Sequence, residues 1–300
     1  MDDVKKLIMD IGTKSIKAFV YEFRDGAAPV QIWRKKIDTM IGKFLVDGLL
    51  ADEGINALIS HIKIVLSDTE QFKPDMVTAF ATEWIRLAKN QNDIVSRVKD
   101  ETGIAIQVLS HQEELEAYWR GVTRDFNHDG MIAAIDIGGG SVQFFWGDKM
   151  GLKGSLCLKT GTFPMYKQFI QSEPHTDAEY EAIENYIRDQ IKDIDVVLPP
   201  DTPFIHGSSS VIDFYTEAGI EMSPYDKSPS HPYQITIAEV EEFYKKHRTA
   251  LQSEKGKLYP SDPDFTKGAF IGFAHVIVIA EKFGCTVDIP SNNSIVHGFL

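Results

Sequence analysis

The chain has 300 residues, 43% apolar and 25% charged, which is the make-up of an ordinary soluble globular protein, and its length favours two domains over one. A formal charge of −13 argues against general binding to nucleic acid or anionic membranes, while backbone N–H groups can still form a local site for a phosphorylated substrate. No apolar run approaches the ~18 residues of a membrane span, and the start "MDDVKK" is unlike a signal peptide; the cytoplasm is the expected compartment.

In chain order, Lys6–Ile11 and Ser15–Phe23 read as a hairpin around Gly12-Thr13-Lys14, and Val30–Ile37 as a third strand. A helix is expected over Asp52–Leu66, where Ile55, Leu58, Ile59, Ile62 and Leu66 recur at helical spacing. The pattern then alternates: "DMVTAFA" a strand, "NDIVSRVKDETG" a helix stopped by Gly103, "IAIQVL" a strand, "HQEELEAYWRGV" a helix. The opening then repeats, with Met131–Ile137 and Ser141–Trp146 as a hairpin and Leu152–Leu158 as its third strand.

Helices follow near Thr176–Ile194 and Thr236–Leu251, where "TDAE" and "TIAE" match capping boxes. "TPFIHG" reads as a short buried strand, Ser209–Ala218 as a helix, and "MSPYDKSPSHPY" as a proline-rich loop. Phe265–Phe283 reads as a buried helix, "CTVDI" as a last strand, and "NNSIVHGFL" as a terminal helix, about 291–300, that is a candidate for packing back on the first half. Cys157 and Cys285, far apart and without histidine at ligand spacing, are expected to be buried reduced thiols. Two similar openings suggest an internal duplication, with domains over 1–126 and 127–300 divided near the polar "FNHDG".

"LIMDIGTKSIKAFV" (7–20) and "AAIDIGGGSVQFFWG" (133–147) share one plan, a strand ending in Asp, a glycine turn, a serine and a returning strand, 126 residues apart. Glycines in such a turn expose successive N–H groups and let a phosphate approach without a Cβ in the way. The Asp can hold Mg²⁺ through water, and the serine can donate to a phosphate oxygen. A dinucleotide fingerprint would need a helix directly after the glycines, and "VQFFW" continues as a strand. A hairpin whose glycines serve only positive φ is the structural alternative.

The paired turns resemble those of the actin, sugar-kinase and heat-shock-ATPase superfamily. "ATEWIRLAKNQNDIVSRV" (81–98), "GIAIQVLSHQEELEAYWRGV" (103–122) and then "AIDIGGGS" resemble, in order and spacing, the exopolyphosphatase and guanosine pentaphosphate phosphatase (Ppx/GppA) family. "HGSSSV" lies where that family carries a glycine-threonine turn, and the tail from "KGAFIGF" resembles the end of its two-domain module.

The resemblance implies an α/β fold of two duplicated ribonuclease-H-like (actin-like ATPase) domains with a cleft between them. It implies hydrolysis of a terminal phosphoanhydride in polyphosphate or a phosphorylated guanosine nucleotide, with Mg²⁺ or Mn²⁺, and a homodimer is common in the family. By position, Glu114 matches the general base that activates water, and Arg86 a phosphate-contacting arginine. Asp10 and Asp136 match metal-associated acids. Gly12, Thr13, Ser15, Gly138, Gly139, Gly140, Ser141, Gly207 and Ser208 match phosphate-binding positions. Gln143 stands where the family carries an acid that holds metal or water, and "HQEELE" departs from the family at His111, Leu115 and Glu116. These departures motivate a second reading, a phosphate-binding regulatory protein without turnover. A small-molecule kinase of the same superfamily is a third.

Overall fold

A computed structural model describes residues 3–13, 15–200, 202–207 and 210–300. The chain divides into two compact units, residues 1–118 with 299–300, and residues 119–298. This division falls within the helix His111–Val122, ahead of the polar stretch at 126–130 where composition placed it; packing rather than polarity sets it.

The first unit opens with strands β1 (Val4–Ile11), β2 (Ser15–Phe23) and β3 (Val30–Asp38), followed by a two-residue pair, β4 (Leu45–Val46) and β5 (Leu49–Leu50). Helix α1 (Asp52–Thr69), strand β6 (Met76–Ala81), short helix α2 (Glu83–Leu87), helix α3 (Gln91–Thr102), strand β7 (Ile106–Val108) and helix α4 (His111–Val122) come next. The main sheet has the order β3-β2-β1-β6-β7, with the first three antiparallel and β6 and β7 parallel to β1.

Alternation sends Leu7, Met9 and Ile11 of β1 and Ile16, Ala18 and Val20 of β2 to one face of that sheet. There they pack on Ile55, Leu58, Ile59 and Ile62 of α1 and on Ile94 and Val98 of α3, the helical stripes that periodicity marks. Gly103 ends α3 in the left-handed region at φ 75°, as its position implies. At the chain's end, a 3₁₀ turn (Ile295–Phe299) replaces the expected helix; Phe299 stacks on Phe80 with ring centroids 4.5 Å apart.

The second unit repeats the plan with β8 (Ile132–Ile137), β9 (Val142–Asp148) and β10 (Gly151–Leu158), then helices α5 (Thr162–Phe169) and α6 (Asp177–Ile191). After β11 (Phe204–Gly207) and α7 (Val211–Glu217) come β12 (Ser223–Pro224), β13 (Tyr233–Thr236), α8 (Ile237–His247), α9 (Gln252–Lys255), α10 (Phe265–Phe283) and β14 (Val287–Ser291). The sheet order β10-β9-β8-β11-β14-β13-β12 contains the first unit's five-strand arrangement and extends it at one end by two antiparallel strands. Those two come from the proline-rich segment and its exit, so that segment is not wholly irregular: Tyr225 N–H to Pro232 O (2.9 Å) closes it.

Both capping boxes form, at Thr176/Glu179 and Thr236/Glu239. Helix α5 is an element that hydrophobic periodicity does not reveal. Cys285 is buried, which pushes its thiol up to about 12, but Cys157 is exposed, contrary to expectation, because it lies on edge strand β10. Among the described residues no helix is long and apolar enough to cross a membrane.

Candidate active site

In each unit the sequence-marked residues follow the carboxyl ends of parallel strands, the edge at which open α/β sheets place ligands. In the first unit, register aligns Ile11 with Ala81 and Ala81 with Val108. The segments leaving β1, β6 and β7 therefore start side by side: the turn at Gly12–Ser15, the segment Thr82–Arg86, and Ser110–Glu114.

The Gly12 N–H donates to Ser15 O (3.0 Å) and closes the first turn. Thr13 O accepts from Gly42 N–H (3.2 Å), and a Cβ at Gly42 would meet Thr13 Cγ2 at 2.6 Å, so the 3₁₀ segment after Met40 lies directly on the turn. Trp84 Nε1–H donates to Ile11 O (2.9 Å), tying α2 to the end of β1.

Arg86 is thereby directed toward α4. Its Nη1 donates to Leu109 O (2.6 Å) and to the Glu114 carboxylate (3.0 Å). The three acids of "HQEELE" divide their roles. Glu113 accepts from Ser110 N–H (2.8 Å) while Ser110 Oγ accepts from Glu113 N–H (3.2 Å), a reciprocal cap at the start of α4. Glu116 accepts from Gln112 on the exposed face (2.8 Å). Glu114, 19% exposed, meets Arg86, 24% exposed. It is not part of a solvated acidic stripe.

Asp10, at the end of β1, stands directly across from Lys17 on β2. Burial raises its carboxyl above the usual range; the Lys17 charge opposes that shift, and the Glu114 charge adds to it. One ammonium therefore does not fully offset the burial of this carboxyl.

The second turn repeats the closure, with Gly138 N–H donating to Ser141 O (2.9 Å), and Asp136 stands across from Gln143 as Asp10 stands across from Lys17. Its support differs. The first N–H groups of α5, at Thr162 and Phe163, donate to Gly138 O (3.1 Å) and Gly139 O (2.9 Å). A Cβ at Gly161 would lie 2.2 Å from the Gly140 carbonyl carbon and 2.4 Å from Ser141 N, so only glycine lets the helix approach this closely. Beneath it, fully buried His275 donates from Nδ1 to Ile271 O (2.9 Å), which leaves Nε2 to accept from Thr160 Oγ–H (2.9 Å). Burial holds that imidazole neutral, down to about 4.

Gly207 ends β11, which runs parallel to β8 and β14 and pairs Gly207 with Ser291, so β11 ends at the same sheet edge as the strand that leads to Gly138. Ser208, like Lys14, lies outside the described residues. The structure thus gathers Asp10, Gly12, Thr13, Ser15, Arg86 and Glu114 in the first unit. In the second it gathers Asp136, Gly138 to Ser141, Gln143 and Gly207. Sequence reasoning missed Gly42, Trp84, Thr160, Gly161 and His275. The signal for α5 was present in "TGTFP", where a proline sits in the first helical turn. Among the described residues no three His, Cys, Asp or Glu side chains cluster as ligands, so any cation here would rely on few protein oxygens.

Comparison with known proteins agrees with this architecture. Exopolyphosphatase 1 of Mycobacterium tuberculosis is 26% identical over 169 residues, covering 56% of this chain and 49% of that protein. The bifunctional 3-dehydroquinate synthase/phosphatase of Fusobacterium nucleatum is 23% identical over 309 residues, covering 97% of this chain and 45% of that protein. The chain spans about half the length of these curated relatives.

The crystal structure of the Aquifex aeolicus Ppx/GppA phosphatase in its type II variant superposes with a TM-score of 0.85 at 21% identity, covering 99% and 98% of the two chains. An exopolyphosphatase from Cytophaga hutchinsonii superposes at 0.74 with 17% identity, covering 98% and 96%. These structures share the fold, the actin-like α/β architecture of duplicated units. The model of the Ppx/GppA phosphatase family matches residues 20–283, and the chain belongs to that family.

Proposed function

We propose that the chain is a phosphohydrolase that cleaves a terminal phosphoanhydride of polyphosphate or of a guanosine pentaphosphate-like nucleotide. The observation that carries this reading is the Glu114–Arg86 pair at the carboxyl ends of the first unit's parallel strands. Phosphoryl transfer needs an oriented water and charge neutralisation more than covalent chemistry. Arg86 spends only Nη1 on protein acceptors among the described residues, and its other N–H groups suit phosphate oxygens. A phosphate that draws the guanidinium away leaves Glu114 free to accept a proton from the attacking water.

Asp10 fits Mg²⁺ or Mn²⁺, since its desolvated carboxyl lacks full compensation and Mg²⁺ is commonly held by one or two carboxylates, waters and substrate phosphates. Asp136 and Gln143 supply the corresponding oxygens in the second unit. When bound, the cation would neutralise charge on the phosphate oxygens. The two turns present Gly12 to Ser15 and Gly138 to Ser141 as phosphate cradles.

The test is phosphate release from polyphosphates, guanosine pentaphosphate and ATP with Mg²⁺ or Mn²⁺. Glu114→Gln should lower release by about 10²- to 10⁴-fold. Unchanged release would remove Glu114 from the mechanism, and no release by the parent protein from any of these substrates would overturn the hydrolase. A second reading rests on Gln143, a neutral amide opposite Asp136: a binding protein without turnover, recognised by ligand-induced stabilisation without phosphate release.

A further inference from the structure

The first two carbonyls of the second turn are fixed, and that decides where its N–H groups point. Gly138 O and Gly139 O accept from the N–H groups of Thr162 and Phe163 at the start of α5 (3.1 and 2.9 Å). A trans peptide holds its N–H opposite its C=O, and among the described residues only Glu173–Pro174 is cis. The N–H groups of Gly139 and Gly140 are therefore turned away from α5. Two successive N–H groups turned to one side form a concave anion site.

The start of α5 is itself held from beneath by α10, a largely buried helix of 19 residues. The two meet at Gly268 and at His275, about two helical turns apart and so on one face of α10. A Cβ on Gly268 would come within 3.1 Å of Thr162 Oγ1. His275 Nε2 accepts from Thr160 Oγ–H (2.9 Å), and both residues are buried. Its Nδ1 is bound to Ile271 O, one turn earlier on the same helix, which fixes the ring. Between these anchors Gly161 lies against the backbone of Gly140 and Ser141, so a shift of Thr160 passes directly to the turn.

Burial alone gives this polar pair no advantage, since two apolar groups of the same shape serve stability about as well. What the pair adds is direction, because a hydrogen bond holds Thr160 at one distance and angle. We propose that Thr160 and His275 are positioning residues that hold the Gly139 and Gly140 N–H groups in place for a phosphate. The inference rests on the phosphate-binding reading of this turn and adds the device that sets its affinity.

The experiment measures orthophosphate affinity by equilibrium dialysis, and the denaturant midpoint, for four proteins: the parent, Thr160→Ser, Thr160→Val and the double variant Thr160→Val with His275→Leu. Thr160→Ser keeps the hydroxyl and should bind phosphate within about twofold of the parent. Thr160→Val leaves Nε2 without its donor, and should lower the midpoint and weaken phosphate binding about tenfold. The double variant removes both polar partners, so its midpoint should return toward the parent while phosphate binding stays about tenfold weaker. Affinity that recovers together with the midpoint would mean that the pair serves stability alone and would overturn the proposal. Parent-like affinity in Thr160→Val, or a serine variant as weak as the valine one, would overturn it too. If Thr160→Val does not fold, the double variant set against Thr160→Ser decides. A parent protein that neither binds orthophosphate nor releases it from any substrate removes the phosphate reading, and this proposal with it; a parent that binds, beside variants that bind equally well, removes the positioning role alone.

Discussion

The two glycine turns close with the same hydrogen bond and differ in support. Each closes with an N–H of its first glycine on a serine carbonyl, at 3.0 and 2.9 Å, and each follows an aspartate at the end of a central strand. The first turn leans on a 3₁₀ segment and the Trp84 indole, and it has a lysine across from its aspartate. The second is backed by a helix start and by a buried histidine, and it has a glutamine across from its aspartate. The difference separates two tasks. The first unit places Lys17 opposite its aspartate and the Arg86–Glu114 pair nearby, whereas the second has a neutral amide opposite its aspartate and backs its turn with a helix start.

Acid should expose the contrast most strongly. Burial brings His231, His275 and His297, all in the second unit, down to about 4 from 6.5. The unfolded chain takes up protons that these folded imidazoles refuse, so stability falls as pH drops from 6.5 towards 4. One such group contributes up to about 3 kcal/mol across that window. Asp10 has the opposite sign: its raised pKa favours the folded state below the ordinary carboxylate range, and that contribution is lost as pH rises. Denaturant midpoints at pH 7 and pH 4.5 should separate further for the parent than for His275→Gln, and equal separations would break the assignment.

Glycine substitutions sharpen the comparison next. Gly161→Ala forces a Cβ onto the backbone of Gly140 and Ser141 and should cost about 1–3 kcal/mol of stability. Gly140→Ala should leave stability within about 0.5 kcal/mol, since nothing described is near its Cβ, yet reduce phosphate release. Parent-like release by Gly140→Ala would show that no ligand approaches there.

The smallest effect concerns the cation. Mg²⁺ at ten times its dissociation constant should stabilise the parent by about 1.4 kcal/mol. Asp10→Asn should lose that shift and Gln143→Glu should enlarge it. A shift indifferent to both would place the cation elsewhere.

Much of the fold was legible in the sequence because its signals are local. The α1 stripe, the Gly103 stop and the Thr176 and Thr236 caps each depend on residues within a turn or two of one another. Helix α5 was missed because its first turn owes its place to contacts with Gly138 and Gly139 rather than to an apolar stripe. Strands β12 and β13, from the proline-rich segment and its exit, were missed because pairing with each other and with β14, not propensity, defines them. Within the site, the turns were visible and their supports were not. His275 meets Thr160 across 115 residues, and no pattern in either segment announces the other.

By itself, the sequence determined that Asp–Ile–Gly–Ser turns occur twice between strands, since backbone freedom and short-range hydrogen bonding are properties of adjacent residues. It also carried the resemblance that named the family. Only the tertiary structure decided which glutamate of "HQEELE" meets Arg86, because parallel register aligns Ala81 with Val108 and brings together side chains 28 positions apart. It decided likewise that Gly139 yields to a phenyl ring while Gly140 yields to nothing in the described chain, a distinction that three identical letters cannot carry.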